Sequence, residues 1–130
     1  MPPDCPCGRT DASGRPVALV DCCGRFLDQG QTAPDAEHLM RSRYSAFVLG
    51  RVDYLNASWH TRTRPDDLSL EPGVKWLGLE VKRHRVIDAD HAEVEFVARS
   101  RVGGRGQRLH ETSRFVREDG RWFYVDGDVA

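Results

Sequence analysis

Four thiols open the chain: Cys5-Pro6-Cys7-Gly8 and then, after 14 intervening residues, Cys22-Cys23-Gly24. Thiols grouped in this way in a reducing compartment hold a metal more often than a disulfide. Four thiolates close a tetrahedral zinc site with no open position, which is the structural rather than the catalytic kind. Gly8 and Gly24 each follow a cysteine, and a residue without Cβ lets backbone amides turn toward sulfur. Cys5, Cys7, Cys22 and Cys23 are therefore the expected ligands of one structural zinc per chain. The competing readings are four free buried cysteines, one disulfide in a secreted protein, or a redox thiol. A Cys-x-Cys beside an adjacent cysteine pair is less specific than two Cys-x-x-Cys pairs. The metal reading gains from composition, because a region of about 30 residues with so few apolar groups does not hold itself together unaided.

A second set of residues carries acid–base chemistry. His60, directly after Trp59, titrates near neutrality when unperturbed and suits a general base. Asp126 would orient it or act as base itself, and Tyr44 would donate to a developing oxyanion. Arg43, Tyr44, Tyr54, Trp59, Arg114 and Tyr124 are the expected lining of a pocket around them. Each also has a plain structural reading. His60 would bond carbonyls at a helix end, Tyr44 would be a core tyrosine with a satisfied hydroxyl, and Arg43 with Asp126 would form a buried ion pair joining helix to sheet. The chain contains no nucleophilic serine motif, phosphate-binding glycine loop or dinucleotide fingerprint. From Arg99 to Arg121 seven arginines stand against Glu111, Glu118 and Asp119, a local excess of +4. On one sheet face, with Trp122 or Tyr124 among them, they would suit RNA or an acidic partner; arginines spread over two solvated faces are the alternative.

The elements that must position these groups follow from periodicity. Asp35 to His60 predicts two consecutive helices. The first runs from about Pro34 to Leu49, with Thr32 as N-cap, Pro34 in the first turn and Gly50 as the stop. Within it Leu39, Met40, Tyr44, Phe47 and Val48 recur at three- and four-residue steps and form a stripe that the segments after Pro72 must cover. The second helix runs from roughly Val52 to Trp59. Phe26 to Gln31 reads as a turn-containing linker whose Phe26 and Leu27 dock on the main domain. Thr61 to Gly73, broken by Pro65 and Pro72, reads as a loop with one helical turn. Four strands are expected after it: Val74–Ile87, Ala92–Val102, Arg108–Glu118 and Arg121–Asp126. Asp88-Ala89-Asp90, a hairpin tip at Gly103-Gly104-Arg105-Gly106 and the two-residue turn Asp119-Gly120 join them. Helices followed by an antiparallel meander make an α+β fold with a cone-like interior.

A chain of 130 residues with 39% hydrophobic and 30% charged residues has room for one main core plus a small appendage. A net charge of −1 provides no general attraction for nucleic acid or an anionic membrane surface. The amino terminus lacks a signal-peptide apolar run, and no stretch approaches the roughly 20 apolar residues of a membrane helix, so the cytosol is the expected location.

The cysteine knuckle resembles the SEC-C zinc motif, known from the carboxyl tail of the translocation ATPase SecA. The run Asp35 to Phe47 (DAEHLMRSRYSAF), Trp59-His60, Trp76-Leu77-Gly78-Leu79, Phe96-Val97-Ala98-Arg99, Ser113-Arg114-Phe115 and Trp122 to Gly127 (WFYVDG) resemble the YchJ family of uncharacterised bacterial proteins. The resemblance covers nearly the whole chain. It implies a middle domain of the nuclear transport factor 2-like, or cystatin-like, fold over 31–130, behind a zinc knuckle and linker over 1–30. Two departures stand out: a longer stretch between Cys7 and Cys22, and an end at Asp126 to Ala130 without the second knuckle of many relatives, so a partner contact made there would be missing.

Folds of this type host isomerases, hydrolases and dehydratases as well as non-catalytic binding domains, so the site must decide. The reading that follows is a non-catalytic binding or adaptor module, with a protein partner at the zinc knuckle and a small apolar ligand in the cone. The alternative is a small enzyme using His60, Tyr44 and Asp126 for proton transfer. An open pocket with two of those side chains converging would favour the enzyme, and a filled cone the adaptor. Monomer and homodimer are both compatible with the sequence.

Overall fold

A computed structural model describes residues 2–130. The amino-terminal region carries a 3-10 turn, Leu19–Asp21, and helix α1, Gly24–Leu27; helices α2, Ala36–Leu49, and α3, Val52–Ala57, follow. Four strands complete the chain: β1, Val74–Asp88, β2, His91–Val102, β3, Arg105–Glu118, and β4, Arg121–Val129. They form one antiparallel sheet in the order β1-β2-β3-β4, a meander. The α+β reading therefore holds.

Local chemistry explains where the boundaries differ from expectation. The carboxylate of Asp35, not Thr32, caps α2: its Oδ1 accepts from the backbone N–H of His38 at 2.8 Å, so the helix starts at Ala36 and Pro34 lies outside it. Gly50, at φ 74°, closes the other end as expected. α3 stops short of Trp59 because Ser58 Oγ donates back to Tyr54 O at 2.7 Å and the chain then extends. Trp59 forms a parallel bridge with Tyr124. The hairpin tip is tighter than four residues: Gly103 and Gly104, at φ 56° and 79°, make a two-residue turn, so Arg105 already pairs with Val102. Phe26 and Leu27 are not linker but the end of α1, with Phe26 buried in the core. The segment 61–73 contains turns without a helix.

Three register shifts in β1 bend the sheet over α2. Tyr44 and Phe47 meet Trp76 of β1, with ring centroids 5.6 and 5.8 Å apart. Val48 departs from the predicted stripe and faces solvent. The core is continuous from the four cysteines through Leu39, Met40 and Tyr44 to Phe96 and Phe115. Among the described residues no helix is long and apolar enough to cross a membrane. The cap gives a direct test: Asp35→Ala should lower unfolding free energy by about 1 kcal/mol in urea titrations, while Thr32→Ala should leave the midpoint unchanged.

Candidate functional sites: a sulfur cluster and an aromatic cavity

The sulfur cluster is assembled by two short pieces of chain. Cys5 N–H donates to Val17 O at 2.9 Å and Val17 N–H to Arg9 O at 3.0 Å, which folds residues 4–18 back as a narrow ribbon. The long insert between Cys7 and Cys22 thus packs as the tip of that ribbon. Asp11 Oδ1 holds it, accepting from Ser13 N–H, Ser13 Oγ and Arg15 N–H, and the Ser13 hydroxyl foremost keeps the Asp11 carboxyl below its usual range. The turn Leu19–Asp21 and α1 then bring up Cys22 and Cys23.

All four sulfurs lie within 4.8 Å of one another and all four residues are buried. Cys5 and Cys7 Sγ are 3.5 Å apart, and Cys7 and Cys22 Sγ 3.6 Å. A tetrahedron with metal–sulfur bonds of about 2.3 Å requires sulfurs about 3.8 Å apart. The cluster therefore fits a metal site. The Cys7 N–H donates to the Cys5 sulfur and the Arg9 N–H to that of Cys7, the second made possible by Gly8 at φ 77°. Gly24 serves differently from the expectation: it is helical, and a Cβ there would stand 2.6 Å from Leu19 O.

Four thiols this close do not ionise alike. Hydrogen bonds from Cys22, Cys23 and Cys7 stabilise the Cys5 thiolate and pull its pKa far down; Cys22 and Cys23 bring Cys7 to about 7. Cys22, although eased by Cys23, is pushed up by Cys5 and Cys7, and Cys23 is pushed up by all three neighbours. Only a cation among the sulfurs lets all four be thiolates together.

The cluster is seated on α2. Ser45 Oγ is 3.6 Å from Cys5 Sγ, and Arg41 Nη1 donates to Cys7 O at 3.1 Å while its Nε donates to Glu37 at 3.0 Å. Ser45, small and fully buried on the helix, is what lets the cysteine segment approach that closely.

On the other side of α2 the cone is open. A cavity of about 300 Å³ lies between α2 and the concave face of the sheet. Its walls are rings, those of Tyr44, Phe47, Trp59, Trp76, Phe96, Phe115 and Tyr124, joined by Met40, Ala98 and Leu109. Of the expected lining, Arg43, Tyr44, Trp59 and Tyr124 are in place. Tyr54 is turned away, its hydroxyl bonded to Ser42 Oγ at 2.7 Å. Arg114 is on the outer face, where its guanidinium pairs with Asp126 at 2.6 Å and Asp128 at 2.7 Å.

The three acid–base candidates do not converge. His60 sits at the far end of β4, with Nε2 2.9 Å from Glu118 and Nδ1 accepting from Arg62 N–H, so Nε2 carries the proton donated to Glu118. Asp126 is exposed and held by Arg114. Neither lines the cavity: His60 follows the inward-facing Trp59 in extended chain and so turns outward, while the register shift at Arg114/Phe115 places Asp126, two residues after the inward Tyr124, on the outer face opposite Arg114. Tyr44 does line it, but its hydroxyl accepts the Gly78 N–H and burial raises its pKa, as in a satisfied core tyrosine. The buried Arg43–Asp126 ion pair is likewise absent. Arg43 Nη1 donates to Leu55 O at 3.0 Å and Ser58 Oγ at 2.7 Å, and its guanidinium lies 4.6 Å from the Tyr124 ring and 5.1 Å from that of Trp59. Burial lowers its pKa to about 10, against the opposing pull of Tyr124.

Two polar cavity residues were not foreseen: Glu111 and Ser113 on β3. Ser113 Oγ and Tyr124 Oη both donate to Glu111 Oε2, the latter at 3.5 Å. Period-two counting back from Phe115 through Ser113 to Glu111 would have placed them inward. The arginines of the same region divide. Arg99 and Arg108 stand opposite each other on neighbouring strands, while Arg114 and Arg117 are paired to Asp126, Asp128 and Asp90.

The sequence profile described as YchJ, middle NTF2-like domain, matches residues 35–127. A UPF0225 protein of Polaromonas naphthalenivorans is 62% identical over 98% of this chain and 98% of its own, and one of Bordetella pertussis is 56% identical over 98% and 94%. Among solved structures, a SEC-C motif containing protein from Rhodopseudomonas palustris superposes with a TM-score of 0.83 at 32% identity over 98% of both chains. Another from Psychrobacter arcticus does so with a TM-score of 0.78 at 32% identity, over 98% of this chain and 82% of that one.

The two close-approach glycines should respond differently to an added methyl. Gly24→Ala meets the fixed Leu19 carbonyl and should lose about 1–3 kcal/mol of stability. Gly127→Ala meets the Glu111 side chain, which can swing aside at the expense of its bonds from Ser113 and Tyr124, and should lose less than Gly24→Ala, about 1 kcal/mol. Chemical denaturation of both variants checks the contrast.

Proposed function

The chain belongs to the YchJ family, with the SEC-C type of knuckle and the NTF2-like middle domain, and from that premise we propose a zinc-held protein that binds a small molecule in its cone. The single observation that carries this reading is the cavity: about 300 Å³, walled by aromatic rings, with one buried guanidinium and one carboxylate at its edge. That size is at the low end of ligand pockets, and a mainly apolar wall with a few placed polar groups is their usual make-up. A proton-transfer enzyme built on His60, Tyr44 and Asp126 has no support, since only Tyr44 reaches the cavity.

Zinc is supported by the donor set. Four buried sulfurs within 4.8 Å of one another match structural zinc, and the negative charge of a tetrathiolate site is met on one side by the Arg41 guanidinium, which donates to Cys7 O. Loaded protein should contain one zinc per chain by native mass spectrometry and elemental analysis, show no visible charge-transfer colour, and react slowly with thiol reagents. Stripping the metal with a mercurial and chelator should expose four reactive thiols and lower the melting temperature by several degrees. Protein free of zinc whose four thiols all react while it stays folded would remove the metal from this reading. An iron-coloured protein would change the metal. Because the ligands are thiolates, zinc retention should weaken as the pH is lowered below neutrality.

A further inference from the structure

The chemistry of the cavity wall says more about the ligand than its size, provided the cone is a ligand site as proposed above. Arg43 is buried to 5% exposure. Among the described residues only its Nη1 has protein partners, a carbonyl and a hydroxyl, both neutral, and no carboxylate pairs with it. A guanidinium has five N–H donors, so most of its hydrogen-bonding capacity is unspent on protein. A buried cation with no carboxylate in ion-pair contact carries a desolvation cost that the more distant Glu111 offsets only in part and that an anion beside it would relieve. Tyr124 and Trp59 cover one side of it, their ring centroids 4.6 and 5.1 Å from Cζ and 5.0 Å from each other, which leaves the rest of the guanidinium for a ligand.

Glu111 faces the same cavity with the opposite sign. Gly127 leaves room for its carboxylate, since a Cβ at that position would collide with it. Tyr124 spans the two charges: its ring lies against Arg43 and its hydroxyl meets Glu111. A ligand lying along that ring would meet a cation at one end and an acceptor at the other.

We propose that the cavity binds a small planar acid, its carboxylate forked on the edge of Arg43, its flat apolar body stacked among Trp76, Phe96 and Tyr124, and a hydrogen-bond donor at its far end directed to Glu111. Carboxylate and guanidinium match as paired acceptors and donors, and such charge-assisted bonds are among the strong ones. Flat rings gain from stacking and edge contacts with the aromatic wall. Glu111 repels a second acid at the far end and rewards a hydroxyl or amine there. Phosphate esters, with two charges and one cation to meet them, fit poorly, and long-chain fatty acids exceed the cavity.

Isothermal titration of the full-length, zinc-loaded protein at pH 7 with 4-hydroxycinnamate, its amide 4-hydroxycinnamamide, and cinnamate separates the parts. The acid should bind at least tenfold more tightly than the amide, and cinnamate severalfold more weakly than its hydroxylated form. Arg43→Met should abolish the preference for acid over amide, and Glu111→Gln should shrink the advantage of the hydroxyl. Because Arg43 also ties α3 to α2, Arg43→Met is read only if its circular dichroism matches the parent; if it does not fold, the acid–amide comparison on the parent decides alone. Amide binding as tightly as acid, or acid preference persisting in a folded Arg43→Met, overturns the inference and leaves the cone a ligand site. No heat from any of the three at millimolar concentration overturns both.

Discussion

Burying one helix on two opposite sides is the constraint from which this structure follows. α2 has five consecutive buried residues, Ser42 to Ala46, where an amphipathic surface helix would show only a stripe. Successive residues turn by about 100°, so Arg43 and Ser45 project in nearly opposite directions. Ser45 meets the sulfurs and Arg43 meets the cone. The knuckle is thus the lid on one face of α2 and the sheet the lid on the other. Anything that loosens the cysteine cluster uncovers the back of the helix that forms the cavity wall.

Polar groups inside such a doubly covered helix must be satisfied locally. Ser42 donates to Leu39 O and bonds the Tyr54 hydroxyl, and Arg43 reaches the carbonyl and hydroxyl that end α3. These bonds fix α3 against α2 more specifically than Leu55 alone would. They also explain why a sequence with so many serines and arginines in one helix still builds a core.

Much of this was legible in the sequence, and the failures have identifiable causes. The cysteines, Gly50, the strand alternation around Val94 and Phe96, and the Asp119-Gly120 turn each follow from one local rule, and the molecule obeys it. Four of six expected pocket residues are in place because aromatic residues on α2 and β4 have few other surfaces to cover. His60 follows an inward aromatic residue, and in extended chain the next residue faces the other way. Asp126 lies beyond a β-bulge at Arg114/Phe115, which no periodicity reveals. Glu111 was concealed by its own charge, since a carboxylate on a strand is read as solvated until the phase of its neighbours is counted. Arg43 was placed in the pocket but given the wrong partner, because pairing across a fold depends on register that a sequence does not print.

The two margins of the sheet are unequal. β4 is sheathed, because Ser58 to His60 runs beside it, with His60 N–H donating to Tyr124 O and Tyr124 N–H to Ser58 O, both at 2.8 Å. β1 is bare but broken: register shifts at Trp76/Gly78, Val81/Arg83 and Val86/Asp88 interrupt its row of amides. A foreign strand arriving at β1 would find no straight template of more than a few residues, and at β4 would meet Ser58 to His60 already bonded at Tyr124. The exposed Val86 and Ile87 thus lie on an edge whose own irregularity, rather than a covering segment, is what discourages addition of another chain.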